Sequence, residues 1–421
     1  MQGWEAPHRG CAPVRLLARI AGIGATVFGP VAGAQNLGTD IAQALKEGAF
    51  GLDLRYRYEF VDDEGFDRNA NASTLRTRLA YTSAPVRGFA VTLNLDDVHV
   101  IGPDNYNSTR NAKTQYPLIP DPTGTELNLA SVTYTGLHGA TIVVGRQRLL
   151  RGTGRFVANK PWRQNEPTYD AASISYEVND RLRFFYSYVD KVNRIFGPDP
   201  GSPSAAFGGP INLLDASWTP SPLFTVTAYG YWLDLDDAPE APFFSTRTVG
   251  TRITGAAELA GPWSLTYTGE YARQTSIGDN PTNYDTEFYE LQVGLQRDGL
   301  RLRAAYEHHG GGNVLGEALQ APIGRVHLFR GLADKFAVTP QAGVEDFYVA
   351  ADADLLRGTF TLAYHDFSAE TGGGDYGDEL DIFAAWTLAE RYELWVGLAH
   401  YEASGFSTDT DTVWVMLGAS F

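Results

Sequence analysis

Apolar and polar residues alternate along most of this chain. Leu52, Leu54 and Tyr56 fall on one face of an extended strand, whereas Arg55 and Arg57 fall on the other. A period of two predicts a β-strand with one apolar and one polar face, because successive side chains of a strand point in opposite directions. Similar segments recur to the end of the chain and predict about eighteen strands, each near the ~9–11 residues that cross a bilayer at a tilt.

The carboxyl-terminal segment, residues 412–421, follows the same rule. Val413, Val415 and Leu417 alternate with less apolar neighbours, and the chain ends on the aromatic Phe421. A final strand of this kind resembles the assembly signal of bacterial outer-membrane barrels, so we expect the barrel assembly machinery to bind Phe421. The alternative, taken from this strand alone, is the last strand of a soluble β-sandwich.

Connections between the predicted strands alternate in length. Val98–Glu126 and Gly310–Gly343 are long, whereas Gly136–Ala140 and Leu355–Gly358 are tight. Long extracellular loops and short periplasmic turns are typical of outer-membrane barrels, and a soluble sandwich has no reason to alternate them. The sequence therefore predicts an all-β fold, a closed antiparallel transmembrane β-barrel of about 18 strands, and such a barrel is wide enough to hold an aqueous channel.

Aromatic residues cluster near the ends of the predicted strands. Tyrosine and tryptophan at these positions are typical of the girdles that meet the two membrane interfaces. The residues assigned to the outward face are Tyr56, Tyr58, Tyr81, Tyr134, Tyr186, Tyr188, Tyr229, Tyr231 and Trp232.

The amino terminus has a different character. Arginines precede an apolar stretch, and Ala32-Gly33-Ala34 follows it. This order predicts a secretory signal peptide (residues 1–34), then a periplasmic lead-in (35–48) and the transmembrane barrel (49–421). The only cysteine, Cys11, lies in the leader, so the mature chain would have neither a disulfide nor a cysteine ligand. We expect the protein in the outer membrane of a Gram-negative cell, in contact with lipid and lipopolysaccharide.

Composition and charge narrow the function further. The formal net charge is −17, which argues against nucleic acid as a partner. The eight histidines of the chain are scattered, and the sequence contains no known metal-binding, phosphate-binding or catalytic motif. We therefore expect a protein that is not an enzyme, with no metal site and no cofactor. A hydrolase embedded in the barrel is the alternative from another class.

Pairs of arginines two residues apart occupy the polar face of several predicted strands. If the apolar face meets lipid, these side chains line the pore, where guanidinium groups favour anions and carboxylates in particular. The alternative is that they pair with Asp53, Glu59, Glu290 and Glu307 and only stiffen the lumen. The predicted pore-lining arginines of this group are Arg55, Arg57, Arg76, Arg78, Arg181, Arg183, Arg301 and Arg303.

One stretch differs from the repeated strands. Gly145-Arg146-Gln147 ends a predicted strand, a Gly/Arg loop follows, and Trp162-Arg163-Gln164 and Tyr169-Asp170 lead into the next strand. This motif resembles that of the alginate export family of outer-membrane barrels, although Glu166-Pro167 stands where glycine or a basic residue is expected. The motif is also compatible with a structural clasp between loop and strand rather than a ligand contact.

The resemblance implies an 18-stranded barrel whose arginine-rich constriction lets an anionic uronate polysaccharide diffuse outward. A general or small-carboxylate-specific porin for uptake is the alternative, since both channels require arginines in a wide barrel. The motif region adds five candidate pore-lining residues, namely Arg146, Arg148, Arg151, Arg155 and Arg163.

Overall fold

The computed structural model describes residues 34–314 and 316–421. Within them lie one α-helix, α1 (Ala34–Lys46), two short 3-10 helices (Ala241–Phe244 and Val326–Leu328) and eighteen β-strands. The strands are β1 (Ala49–Asp63), β2 (Ala70–Thr82), β3 (Phe89–Asn105), β4 (Gly124–Leu137), β5 (Ala140–Gln147), β6 (Thr168–Asn179), β7 (Leu182–Asn193), β8 (Ala206–Ser221), β9 (Phe224–Leu233), β10 (Thr246–Glu258), β11 (Ser264–Ser276), β12 (Asp285–Arg297), β13 (Leu300–His309), β14 (Val344–Leu355), β15 (Gly358–Ser368), β16 (Asp375–Leu388), β17 (Tyr392–Ala403) and β18 (Thr410–Ser420).

All eighteen strands form one antiparallel sheet that closes on itself. Each strand pairs with its neighbours in sequence, and β1 pairs with both β2 and β18. In the closing pair, Leu54 lies opposite Ala419 and Tyr58 lies opposite Val415. Closure leaves no unpaired strand edge, which a sheet surrounded by lipid requires. The predicted fold class, a closed 18-stranded antiparallel barrel, is therefore confirmed.

The two faces of the strands divide as the alternation predicts. Arg57 and Glu59 of β1 are 1% and 4% exposed, whereas Phe50 of the other parity is 80% exposed. In β2, Arg76 is buried and Leu79 is exposed. Polar residues therefore face the lumen and apolar residues face outward, where lipid covers them in an outer-membrane barrel.

Strand β9 departs from the sequence prediction. The alternation assigns Tyr229 and Tyr231 to the outward girdle, but they are 8% and 3% exposed, and Tyr229 donates a hydrogen bond to the lumen residue Glu270 at 2.6 Å. The prediction was wrong for these two residues because both parities of β9 carry aromatic rings, so the alternation does not distinguish them. Trp232 lies on the opposite face of β9 from these tyrosines. Its indole covers Gly230, where an added Cβ would lie 2.6 Å from the ring.

The start of β1, the end of β18 and the tightest turns lie at one rim, the periplasmic rim in barrels of this kind. The connections at this rim are 83–88, 138–139, 180–181, 222–223, 259–263, 298–299, 356–357 and 389–391. The opposite rim carries the longest connections, including 106–123, 148–167 and 310–343, but it also has short ones such as 64–69. That loop is short because β1 and β2 remain paired as far as Val61 and Ala70.

Helix α1 precedes the barrel at the periplasmic rim. It covers most of the segment that we expected as a lead-in, and the expected signal peptide lies outside the described residues except for Ala34. Among the described residues, no helix is long and apolar enough to cross a membrane.

Candidate functional site: the arginine-rich lumen

Two long connections fold into the lumen instead of projecting from the rim. We call residues 148–167 inner loop A and residues 310–343 inner loop B. Val157 of loop A forms a parallel bridge with Ile323 of loop B, and both residues are almost fully buried. Leu328 is also buried. The two loops therefore meet inside the barrel and narrow its bore.

Arg155 fixes inner loop A to the far wall of the barrel. Its guanidinium group lies 2.6 Å from Glu307 and 3.4 Å from Glu290, on β13 and β12. The same group stacks on Phe288 and Phe329, with its central carbon 4.5 Å and 4.1 Å from the ring centroids. Burial opposes the charged form, but the carboxylates outweigh it and raise the pKa of Arg155 above its usual value. This contact spans the lumen.

The other end of inner loop A contacts β1 and inner loop B. Arg163 lies 3.0 Å from Glu59 and 3.0 Å from Asp334. Trp162 stacks on His327 of loop B, with ring centroids 4.6 Å apart. Charged groups and aromatic stacking thus join the wall and both loops into one buried network.

Arg55 differs from the other arginines of this wall in its partners. It donates to the carbonyl oxygens of Pro161 and Arg163 and, at 3.3 Å, to the side-chain oxygen of Gln164. No carboxylate of the described chain lies within ion-pair distance of Arg55. Its charge is therefore not neutralised by a direct partner, although the carbonyl oxygens fix its position.

The neighbouring arginines are paired with carboxylates. Arg57 lies 2.7 Å from Glu59 and 3.3 Å from Asp121, and Arg76 lies 2.5 Å from Asp53. The alternative prediction is that the arginines pair with four named carboxylates. Two of these, Asp53 and Glu59, lie on this wall, and the other two are the partners of Arg155 on the far wall. That pairing is present, and the effect of these arginines on ion selectivity remains a prediction.

Glu166 joins two arginines from different parts of the chain. Arg78 lies 2.6 Å from Glu166 and 2.5 Å from Asp96, and Nε of Arg148 donates to Glu166 at 2.8 Å. Burial opposes ionisation of this carboxyl, but the guanidinium groups of Arg148 and Arg78 outweigh it and hold the pKa of Glu166 well below its usual range. The unexpected acidic residue of the motif therefore orders the arginines around it.

These groups surround a cavity of about 500 Å³ on the periplasmic side of the inner loops. Its charged lining residues are Arg55, Arg76, Arg78, Arg148, Arg325, Asp53, Glu166 and Glu393. Arginines outnumber carboxylates in this lining, so the cavity is positive although the whole chain is acidic. Trp395 and Met416 supply part of an apolar wall. The arrangement suits a small anion that also has an apolar surface.

A second cavity, of about 280 Å³, lies against β9 to β13. Arg301 and Arg303 line it together with threonine and glutamine side chains. Asp352 lies 3.7 Å from Arg301 and 3.0 Å from Arg303. Two guanidinium groups thus share one carboxylate.

The remaining predicted arginines are not brought to the larger cavity. Arg151 pairs with Asp215 at 2.6 Å and lies over the ring of Phe185. Arg181 lies in the turn between β6 and β7, and Arg183 is an exposed residue 3.4 Å from Glu177 at the same rim.

Arg146 also lies apart from the larger cavity. Its partner is Asp170, at 2.6 Å on the adjacent strand. The register of β5 places Arg146 on the same face of the strand as Ile142 and Val144. Gln147, on the other parity, bonds to Ser173 inside the barrel.

Several residues of the site were not predicted from the sequence. Asp121 forms an ion pair with Arg57 and accepts a hydrogen bond from the backbone N–H of Gln164. Arg325 lines the larger cavity. Both lie in long connections without periodicity, where no sequence pattern indicates which side chains turn inward. The only signal was their position in loops too long for a simple turn.

Comparisons with known proteins agree with this architecture. The model of the alginate export family matches residues 47–194, which contain inner loop A and the first seven strands. No curated protein sequence matches the chain significantly.

Several solved structures have the same fold. Pseudomonas aeruginosa OpdO is 15% identical, with a TM-score of 0.68 over 90% of this chain and 99% of that one. Acinetobacter baumannii OccAB4 is 12% identical, with a TM-score of 0.67 over 89% of this chain and 98% of that one. P. aeruginosa OpdK, solved with vanillate, is 13% identical, with a TM-score of 0.67 over 90% of this chain and 99% of that one. The resemblance to the alginate export family is therefore confirmed over residues 47–194, and the chain as a whole shares the closed β-barrel fold of these solved structures.

Proposed function

We propose that this protein is a channel for the uptake of small anionic solutes, with carboxylates as the preferred class. The observation that carries the proposal is the positive cavity of about 500 Å³ below the inner loops. Arg55 presents a charge without a carboxylate partner among the described residues, and a planar guanidinium group matches a carboxylate in shape and charge.

The filled lumen supports a small solute over a polymer. Inner loops A and B meet across the bore, and Arg155 is held there by two carboxylates and two aromatic rings. Cavities of a few hundred Å³ are the size of sites that hold single small molecules. Export of a uronate polymer, the function that the family resemblance implies, would require both loops to leave the lumen.

The OpdK comparison supports the same class of solute. That structure contains vanillate, a small aromatic carboxylate. The larger cavity of the present protein offers what such a molecule needs, namely guanidinium groups for the carboxylate and the apolar surfaces of Trp395 and Met416 for a ring.

The proposal can be tested in proteoliposomes that contain the purified barrel. We expect vanillate to enter faster than its uncharged methyl ester, relative to protein-free liposomes, because the two differ by one charge and little in size. An oligouronate should enter much more slowly than either. Equal rates for acid and ester would contradict charge selection, and rapid passage of the oligouronate would favour the polymer channel.

A further inference from the structure

Helix α1 carries an apolar stripe that the barrel leaves uncovered. Leu37, Ile41 and Leu45 are spaced by four residues and therefore lie on one face of the helix. They are 37%, 46% and 48% exposed, respectively. A 13-residue helix is marginally stable in water on its own, so its apolar face normally packs against another apolar surface.

The carboxyl-terminal end of α1 is fixed to the outer face of the barrel. The hydroxyl of Tyr81 donates to the carbonyl of Leu45 at 2.7 Å, and the backbone N–H of Ala84 donates to the carbonyl of Ala44 at 3.0 Å. Tyr81 has the outward parity of β2. Gly48 allows this close approach, since an added Cβ would lie 2.5 Å from the tyrosine ring.

The surface next to this attachment is the lipid-facing surface of the barrel at the periplasmic rim. Phe50 is 80% exposed, Leu79 is 54% exposed and Phe421 is 55% exposed. The rings of Phe50 and Tyr81 lie 4.7 Å apart between centroids. Aromatic residues at the end of the apolar band mark the membrane interface in outer-membrane barrels.

We propose that α1 lies in the plane of the inner leaflet of the outer membrane, with Leu37, Ile41 and Leu45 in contact with phospholipid. The stripe is continuous with an established lipid-facing surface, and an amphipathic helix at an interface buries its apolar face at the boundary between headgroups and acyl chains. Asp40 lies 3.7 Å from Arg87 in the β2–β3 turn, which gives the helix a second polar attachment. The inference does not depend on the solute that the channel carries.

Single-cysteine labelling tests this placement. The only cysteine is Cys11, which is changed to serine if the leader persists in the purified protein. Ile41→Cys places a label on the apolar stripe, and Gln43→Cys places the matched control on the opposite face. Each variant receives a nitrobenzoxadiazole fluorophore and is reconstituted in vesicles of phosphatidylethanolamine and phosphatidylglycerol. Heat-modifiable migration in gels verifies that each barrel is folded.

Two quenchers then distinguish lipid from water. We expect brominated acyl chains to quench the label at position 41 and aqueous iodide to quench the label at position 43. Equal iodide quenching at both positions would overturn the proposal. Shielding of position 41 from iodide without quenching by brominated lipid would also overturn it, because a second protein surface would then cover the stripe. A third label at Leu45→Cys should lose its lipid quenching when Leu37 and Ile41 are both changed to serine.

Discussion

The charge that faces the solute depends on which arginines lack a direct carboxylate partner. Arg57 is held by Glu59 and Asp121, so its field at the cavity is largely cancelled. Arg55 is held by carbonyl oxygens and an amide, which orient it without neutralising it. Counting arginines therefore overstates the positive charge of this lumen.

Replacing Arg55 by glutamine should reduce anion selectivity. If the field of Arg55 contributes about 1 kcal/mol to the free-energy difference between a permeating anion and a permeating cation, its loss lowers the anion-to-cation permeability ratio roughly fivefold. The measurement is the reversal potential across a planar bilayer under a salt gradient. Arg273→Gln is a suitable control, because it removes the same charge from an exposed pair with Asp285 on the outer surface. An equal change in both variants would contradict the role of Arg55.

Lys160 of inner loop A gives the lumen a pH dependence. Burial disfavours its ammonium group and, although Asp334 acts in the opposite direction, lowers the pKa of Lys160 to about 8. The lysine is therefore charged below pH 8 and neutral above it. Anion selectivity should fall as the pH rises from about 7 to about 9. The Lys160→Gln variant should have the lower selectivity at about pH 7 and should match the wild type at about pH 9, and a decline of wild-type size in that variant would refute the assignment.

At the scale of elements, the stability of inner loop A depends on contacts between groups far apart in sequence. Glu307 is completely buried with Arg155 as its partner. Removing one member of a buried pair costs about 3–5 kcal/mol because the other is left charged and unpaired. That energy exceeds what an exposed surface pair contributes, which is about 0–1 kcal/mol. Loss of Arg155 should therefore disturb the loop strongly.

We expect Arg155→Gln to release inner loop A from the far wall. Single-channel conductance should rise and become noisier, since the loop no longer occupies one position across the bore. In the double variant Arg155→Gln/Glu307→Gln, two amides replace the broken ion pair, and conductance should return part of the way to the wild-type value. Wild-type conductance in the single variant would show that other contacts suffice to hold the loop.

The sequence predicts strands here far better than it predicts the lumen. A strand such as β1 repeats one rule, polar inward and apolar outward, and Leu54 and Arg57 obey it. In β9 the rule fails because Tyr229, an aromatic residue, faces the lumen and donates a hydrogen bond to Glu270. Inner loops A and B have no period, so the contact of Val157 with Ile323 depends on the closed barrel. Resemblance to a family drew attention to loop A, but not to its partners.

At the scale of the whole molecule, closure of the barrel joins its first and last strands. Leu52 and Phe421 exchange backbone hydrogen bonds of 3.0 Å and 2.9 Å at the periplasmic rim. Tyr392 of the neighbouring strand lies 6.4 Å from the Phe421 ring, between centroids. The last residue therefore completes the β1–β18 pairing and adds an aromatic ring to the outer surface.

Deleting Phe421 should impair assembly more than it impairs the stability of a finished barrel. Two lost hydrogen bonds cost about 1–3 kcal/mol together. That cost is small beside the pairing that β18 keeps with residues Asp53 to Asp63 of β1. The expected result is less heat-modifiable, folded protein in the outer membrane, with a nearly unchanged melting temperature for the fraction that folds. Phe421→Tyr keeps both the ring and the backbone bonds, so its yield should equal that of the wild type. If the deletion assembles normally, the terminal residue is not the assembly signal; if purified barrels also melt much earlier, its role is in the stability of the closed sheet instead.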